Sequence, residues 1–315
     1  MQIVAMGGQH VEDAGELVTA RYAEVRASVP ALPAKYESLD AFSRDLARLA
    51  DASPGVAALR SGRLVGFLIA QVIGDFRDMR AAYSPEWANA AAADDVYIAM
   101  YQAVAEAWRA DGCACHLVSL LGESEDCADA WLRLGFEMEA VDAVRGLSLV
   151  NGAFREADIR RAGPDDAELV VDFERRLAAY LADAVGLSPE EPPDADSIRS
   201  KLDEGSCADF IAGPLGRAVG WMRIGPANPS ACRVIQDEGV SSVVRAFTNE
   251  HARGGGVGGA LLSRSVAWAR ENGYGCVAVD FEPHNPPASR FWLRHFAPVC
   301  YTVIRRVEVT RTPVR

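Results

Sequence analysis

Apolar and polar positions run through the same pattern twice along the chain. Residues Ile3–Leu17, IVAMGGQHVEDAGEL, predict a short strand, a turn and a helix with an acidic opening turn, which the positive end of a helix dipole favours. Residues Ile159–Leu169, IRRAGPDDAEL, repeat those three features. Val56–Ile69 and Asp209–Ile224 each set a glycine-bearing turn between two apolar runs and predict β-hairpins. Ala107–Val118 and Ala267–Val279 each predict a helix end stopped by glycine and then a strand. Trp131–Phe136 (WLRLGF) and Trp292–Phe296 (WLRHF) are each followed by a Val-rich strand. One such pair would mean little, because hairpins and helix stops are common. Four pairs in one order point to a duplicated unit of roughly 150 residues. The halves are expected at 1–150 and 151–315, joined near Asn151-Gly152, and each is large enough to fold alone.

A length of 315 residues agrees with two domains. Half the residues are hydrophobic and 24% are charged, which supplies real cores and excludes a disordered chain. The net charge is −12, of which −10 falls in residues 1–150 and −2 in the rest. That balance argues against nucleic acid as a partner, since phosphate binding needs a clustered cationic surface. The longest apolar run, Leu64–Gly74, is interrupted by Gly66 and Gln71 and falls short of the roughly 20 residues of a membrane span. The amino-terminal residues show neither a basic segment nor a long apolar one, so no secretory leader is expected. Seven cysteines without a CxxC pair fit reduced thiols in a cytoplasm better than a disulfide framework or a zinc site. No metal is expected. Lysine occurs only at 35 and 201 in a chain rich in arginine and alanine, which suggests a GC-rich bacterial genome.

The stretch with the most chemistry is Val243–Leu262, VVRAFTNEHARGGGVGGALL. A β-branched run leads to Arg253 and a glycine-rich loop, and Leu261, Leu262, Val266 and Ala269 then follow at helical spacing. Glycines at 254, 255, 256, 258 and 259 lack a Cβ, so backbone amides there can close on a ligand. The next helix adds unpaired N–H groups and partial positive charge, and together these suit a pyrophosphate. A flexible linker would also be rich in glycine, but a strand and an amphipathic helix flank this loop closely. Gly254, Gly256 and Gly259 also spell G-x-G-x-x-G, with Asp280 ending the next strand, as in a dinucleotide fingerprint. Against a dehydrogenase, Asn249–Arg253 separate strand and glycines, too little chain follows Asp280 for a doubly wound sheet, and the first half has no second fingerprint.

Arg253-Gly-Gly-Gly256-Val-Gly258 resembles the R/Q-x-x-G-x-G/A loop of the GNAT (GCN-related N-acetyltransferase) superfamily, and Asn285-Pro-Pro-Ala288-Ser-Arg-Phe291 resembles its N-x-x-A-x-x-F/Y segment. The resemblance covers about residues 158–310 and, through the repeat, nearly the whole chain. It implies an α/β (α+β) fold of two tandem domains, each a curved, mixed, mostly antiparallel sheet flanked by helices. Residues 151–315 would bind acetyl-CoA, and 1–150 would be a degenerate copy. The resemblance implies that Ala246, Phe247 and Thr248 flank the pantetheine and thioester. It further implies that Gly254, Gly255, Gly256, Val257, Gly258 and Gly259, with Arg253 fixing the loop or adding charge, hold the pyrophosphate, and that Asn285 lies beside the pantetheine arm. The implied reaction is direct transfer of acetyl to a primary amine of a small molecule or peptide. A tandem pair makes a monomeric pseudo-dimer or a homodimer equally reasonable.

An alkyl amine with a pKa near 10, like that of lysine, lies about three units above pH 7 and needs roughly 4 kcal/mol to be neutral there. A carboxylate that takes its proton is therefore useful. Asp280 and Glu282 share one face of their strand, and part of the family that this chain resembles has an acidic base at the offset of Asp280 from Asn285. Asp280 is the first candidate base, with Glu282 and His284 behind it; each could instead be a solvated strand-end group. Relatives carry a tyrosine acid seven residues after the asparagine, where this chain has Trp292. Tyr301 is the nearest tyrosine in sequence and is also a natural packing residue of the last strand. The missing acid leaves a catalytically silent acyl-CoA sensor as the alternative.

In the first half, Ala88–Asp95 stands where the glycine loop would be and Ser124 where Asn285 would be. Tyr83, Trp87, Tyr97, Tyr101 and Trp108 could line a pocket, but near-helical spacing favours the core for the last three. His116 is expected as a satisfied core histidine. The acidic residues between 183 and 209 could form a rim attracting a cationic amine or a solvated loop. Glu250 and His251 are expected as loop groups facing water.

Overall fold

The computed structural model describes residues 1–122, 125–150, 159–186, 191–214 and 216–309; the expected junction at Asn151-Gly152, and Ser124 and Glu190, lie outside the described residues. Two compact units divide the chain. One comprises Met1–Asp142, Cys232–Val234 and Pro298–Arg315, the other Ala143–Ala231 and Ile235–Ala297.

The first runs β1 (Gln2–Ala5), α1 (Val11–Ser28), α2 (Asp40–Ala52), β2 (Gly55–Arg60), β3 (Arg63–Ile69), β4 (Gln71–Phe76), β5 (Met79–Ser84), β6 (Asn89–Ala91), α3 (Asp94–Ala110), β7 (Cys115–Leu121) and α4 (Glu125–Arg133), followed by β8 (Glu137–Gly146). The second runs β9 (Ile159–Arg161), α5 (Ala167–Val185), α6 (Ala195–Glu204), β10 (Ala208–Ala212), β11 (Gly220–Pro226), β12 (Val240–Thr248), α7 (Val257–Glu271), β13 (Cys276–Phe281) and α8 (Pro286–His295). The last strand, β14 (Ala297–Arg306), pairs antiparallel with β7, Val303 opposite Val118. The carboxy-terminal strand is thus part of the unit built mainly from residues 1–142.

Both units are mixed α/β with mostly antiparallel pairing, as expected. In the second, β9-β10-β11-β12 are antiparallel neighbours and β12 runs parallel to β13. The doubly wound parallel sheet of a dehydrogenase is not what forms. The repeat is visible in the elements themselves. A strand, a 3-10 turn (Gly8–His10 or Pro164–Asp166) and a long helix open each half, and a hairpin follows.

In the first unit α3 buries Val96, Tyr97, Met100, Tyr101, Val104 and Trp108, a stripe of helical period. These pack with Trp131, Phe136 and Val303 of β14. Tyr97, Tyr101 and Trp108 are core residues. His116 is fully buried and bonded through Nδ1 to the Tyr101 hydroxyl at 2.8 Å, while its Nε2 has no hydrogen-bond partner among the described residues. Burial, then Arg305 and Arg109, push its pKa down to about 4. Two buried carboxylates serve the backbone of the Cys232–Val234 segment: Asp142 accepts the Cys232 N–H at 3.1 Å and Glu86 the Val234 N–H at 3.1 Å. Among the described residues the cysteines are free thiols, and no helix is long and apolar enough to cross a membrane.

The core of the second unit joins Val170, Phe173 and Leu177 of α5 to Ile198 of α6, Ile211 of β10 and Trp221 of β11. A buried ionic cluster lies beside it. Asp209 accepts from Trp221 Nε1 at 2.6 Å and from Arg223 Nε at 3.0 Å, and Glu174 accepts from Arg223 Nη1 at 2.6 Å. Asp209 is therefore a core ion-pair partner rather than part of an acidic rim.

Candidate functional site

The site of the second unit begins with a defect in strand pairing. β12 pairs with β13 only from Val240 to Val243, yet it continues to Thr248 along β11. On the β11 side the register slips between Arg223 and Ile224, which face Arg245 and Val243, so Val244 is an extra, bulged residue. Past this bulge the main chain of residues 244–248 has, among the described residues, no strand on its β13 side. A polar backbone edge left unpaired within a fold is a place for an extended ligand to bond.

The glycine loop follows at once. Residues 250–252 make a single 3-10 turn, and α7 starts at Val257 with Gly256 as N-cap, at φ 85°. That left-handed conformation is the reason for glycine there. No side chain caps this helix, and its first intrahelical bond is Ala260 N–H to Gly256 O at 3.0 Å. The amides of Val257, Gly258 and Gly259 precede that bond and are left for another acceptor. At Gly258 a Cβ would come within 3.1 Å of the Phe291 ring of α8, close enough that the ring would have to give way by a few tenths of an ångström.

Strand edge, loop and α8 line one cavity of about 690 Å3. Of the residues singled out from the sequence, the lining includes Ala246, Phe247, Thr248, Arg253, Gly254, Gly256, Val257, Gly258, Gly259, Asp280, Glu282 and Asn285. Gly255 is in the loop without lining the cavity, and its N–H turns back to Ala252 O. Arg253 Nε donates to Thr248 O at 3.2 Å, which ties the loop to the strand it leaves. Asp280 is exposed at the end of β13, and its Oδ1 accepts from Asn228 Nδ2 at 2.9 Å. The Glu282 carbonyl holds the Asn285 N–H. His284, Glu250 and His251 are exposed and outside the lining. Tyr301 lies half-buried on β14 of the first unit, opposite Leu120, and is not a lining residue. Trp292 lines the cavity with its ring packed on Phe291 and Phe296.

Asn285 is 2% exposed and does two things at once. Its Oδ1 caps α8 through the Ala288 N–H and accepts the Tyr180 hydroxyl at 2.9 Å. Tyr180 was not legible as a site residue. It sits on α5 after Phe173 and Leu177, where the apolar stripe of an amphipathic helix accounts for a tyrosine without any ligand. Only the fold brings its ring beneath the Arg253 guanidinium, 4.6 Å from the ring centre. Arg290, Arg294 and His295 of α8 also line the cavity and were missed. Burial, then Arg145 and Arg294, lower the His295 pKa, which keeps that imidazole neutral near pH 7.

The first unit shows what closes such a site. Where the second unit has one strand, β12, the first has two, β5 and β6, separated by residues 85–88. β5 runs parallel to β7 from Ala81 to Ser84, and β6 pairs with β3. Asn89 then spans the gap, donating to Ser119 O of β7 at 2.9 Å and accepting the Tyr97 hydroxyl at 3.1 Å. Two residues separate β6 from α3, which has Asp94 and Asp95 in its first turn. That negative charge opposes a phosphate at the helix end.

The comparisons with known proteins agree with this geometry. The acetyltransferase (GNAT) family model matches residues 175–296. No curated protein matches the chain. Among solved structures, a GCN5-related N-acetyltransferase from Sphaerobacter thermophilus is 13% identical, covers 96% of this chain and 95% of its own, and has a TM-score of 0.55. A fungal structure described as a GCN5-related glucosamine N-acetyltransferase region of a multi-domain β-N-acetylglucosaminidase is 13% identical, with 96% of this chain and 38% of that one covered and a TM-score of 0.50. At these identities the likeness concerns the fold, and it reaches across both halves. The chain carries, over residues 175–296, a domain of the acetyltransferase (GNAT) family.

Proposed function

We propose that the second unit binds acetyl-CoA in this cavity and transfers the acetyl group to a primary amine of a small molecule or peptide. The observation that carries the reading is the convergence of an unpaired strand edge, an uncapped helix N-terminus behind a glycine loop, and an exposed carboxylate on one cavity. When bound, the thioester supplies an acyl carbon open to attack by a nitrogen lone pair.

The residues of this chain do the rest. The amides of Val257, Gly258 and Gly259, which precede the first intrahelical bond of α7, bind the diphosphate. The edge of residues 246–248 receives the amide-bearing arm as an added strand. Asp280 takes the proton of the incoming ammonium, with Glu282 two residues along; Asn228 holds the Asp280 carboxylate in place. With an amine pKa near 10, about three units above pH 7, this step bears on roughly 4 kcal/mol.

A second reading has one observation in its favour: Trp292 fills the place of an acid tyrosine and is packed in aromatic contacts. On that reading the protein binds acyl-CoA without turnover. A thiol-release assay with acetyl-CoA and a panel of primary amines separates the two. Amine-dependent release that falls at least tenfold in Asp280→Asn supports transfer; tight binding with no release for any amine supports the silent reading.

A further inference from the structure

Breaking a thioester requires the sulfur to leave with a proton or as a thiolate. Among the lining residues, Asp280 and Glu282 are carboxylates in solvent reach and suit proton acceptance. His295 is the last residue of α8, ten residues along from the cap Asn285, or roughly 15 Å away. Tyr180 is the one phenol among the residues lining the cavity. Its hydroxyl is fixed at 2.9 Å on Asn285 Oδ1, its ring meets Phe247 edge-on at 6.5 Å, and the Arg253 guanidinium lies over the ring face. Those contacts bind it to the three parts of the site: the strand edge, the glycine loop and the α8 cap. The cation over the ring opposes the negative charge that the ring gains when the hydroxyl gives up its proton.

We infer that Tyr180 is the catalytic acid, delivering its hydroxyl proton to the departing sulfur from α5 rather than from α8. The inference rests on the acetyl-CoA reading above. The amine nitrogen bonds to the acetyl carbon, the carbon–sulfur bond breaks, and its electron pair stays on sulfur. Sulfur takes the Tyr180 proton and leaves as the thiol. The ammonium's first proton leaves through Asp280 to solvent, and the second, lost as the amide forms, passes through Asp280 and water to restore the phenol. Asn285 Oδ1 accepts the phenol proton at rest and so positions the hydroxyl until the O–H turns to sulfur, and Arg253 lies over the ring face.

The test compares wild type with Tyr180→Phe, which keeps the ring packing. Calorimetry with CoA and with desulfo-CoA, at pH 7 and pH 9, reads the hydroxyl without catalysis. Wild type is expected to hold CoA more tightly than desulfo-CoA, with the gap widening at pH 9 where the thiol ionises. Tyr180→Phe is expected to bind desulfo-CoA within twofold of wild type and to lose the gap. With hydroxylamine as acceptor, a nucleophile that is already neutral at pH 7, enzyme-dependent CoA release should fall by roughly 100-fold in the variant, the usual worth of a positioned acid. Equal discrimination against desulfo-CoA in both proteins, or an unchanged release rate, overturns the assignment of Tyr180 and leaves CoA binding intact. Wild type that binds CoA without speeding release also overturns it. Failure of wild type to bind CoA at all overturns the acetyl-CoA reading, and the acid with it.

Discussion

Gly256→Ala separates what the loop does for the fold from what it does for the ligand. Gly256 holds φ 85° as the N-cap of α7, and an L-residue in that region pays about 1–2 kcal/mol. For a unit of this size each kcal/mol lowers Tm by roughly 2–4 °C, so a loss of about 2–8 °C is expected. Alanine can escape that strain only by turning the 256–257 peptide, which swings an amide away from the cavity. Losing one hydrogen bond to a charged acceptor costs about 1.5–3 kcal/mol, or roughly 10- to 150-fold in CoA affinity. Gly254→Ala is the matched control, because Gly254 also has a left-handed φ of 76° and open space where a Cβ would go. It lies before the helix cap, so it should lose the same few degrees and keep CoA affinity within about threefold, since the amides of the first turn are not disturbed. Scanning calorimetry gives the Tm values and isothermal titration gives the affinities. A Gly256→Ala protein that binds CoA like wild type, or a Gly254→Ala protein that loses affinity equally, refutes the argument that the helix-cap amides hold the ligand.

Three further outcomes follow from the same structure. Asp209→Asn leaves the buried Arg223 with Glu174 alone and should cost about 3 kcal/mol in urea unfolding, within the range for broken buried pairs; a loss under 1 kcal/mol would show the cluster to be dispensable. His116, held neutral by burial with a pKa near 4, binds a proton more readily when unfolded, so stability is full above about pH 6.5 and falls as pH drops toward 4. The fall amounts to roughly 3 kcal/mol, and His116→Leu should flatten that part of the profile; an unchanged profile would remove His116 as the cause. Ending the chain at Ala297 deletes β14, whose Val303 packs in the core around Trp108 and Trp131, and should abolish cooperative unfolding of the first unit as followed by tryptophan fluorescence; a retained transition would contradict its dependence on that strand.

Much of the site was legible because its chemistry sits in short local patterns. The glycine loop, Asn285 and the Asp280/Glu282 alternation each occupy a few consecutive residues, and the fold brings them to one cavity without reordering them. The duplicated elements were legible for the same reason. What could not be read depends on distant partners. Nothing in Ala297–Arg306 says that it pairs with β7, some 180 residues earlier. Tyr180 looks like one more apolar-face residue of α5 until Asn285 is set against its hydroxyl, 105 residues away. Asp209 carried a usable signal, a single carboxylate within the apolar run Ala208–Ala212, which requires a buried partner; Arg223, opposite it across the hairpin, was the residue to look for. The bulge at Val244, which frees the strand edge, has no mark in a run of β-branched residues.

The account rests on main-chain amides at the start of α7 gripping a diphosphate, and calorimetric titration of the intact protein with CoA and with pantetheine, which lacks the diphosphate, tests that most directly. One CoA per chain is predicted, bound at least roughly 100-fold more tightly than pantetheine, as two lost charge-assisted hydrogen bonds require. No heat with CoA, or equal affinity for the two compounds, would contradict it.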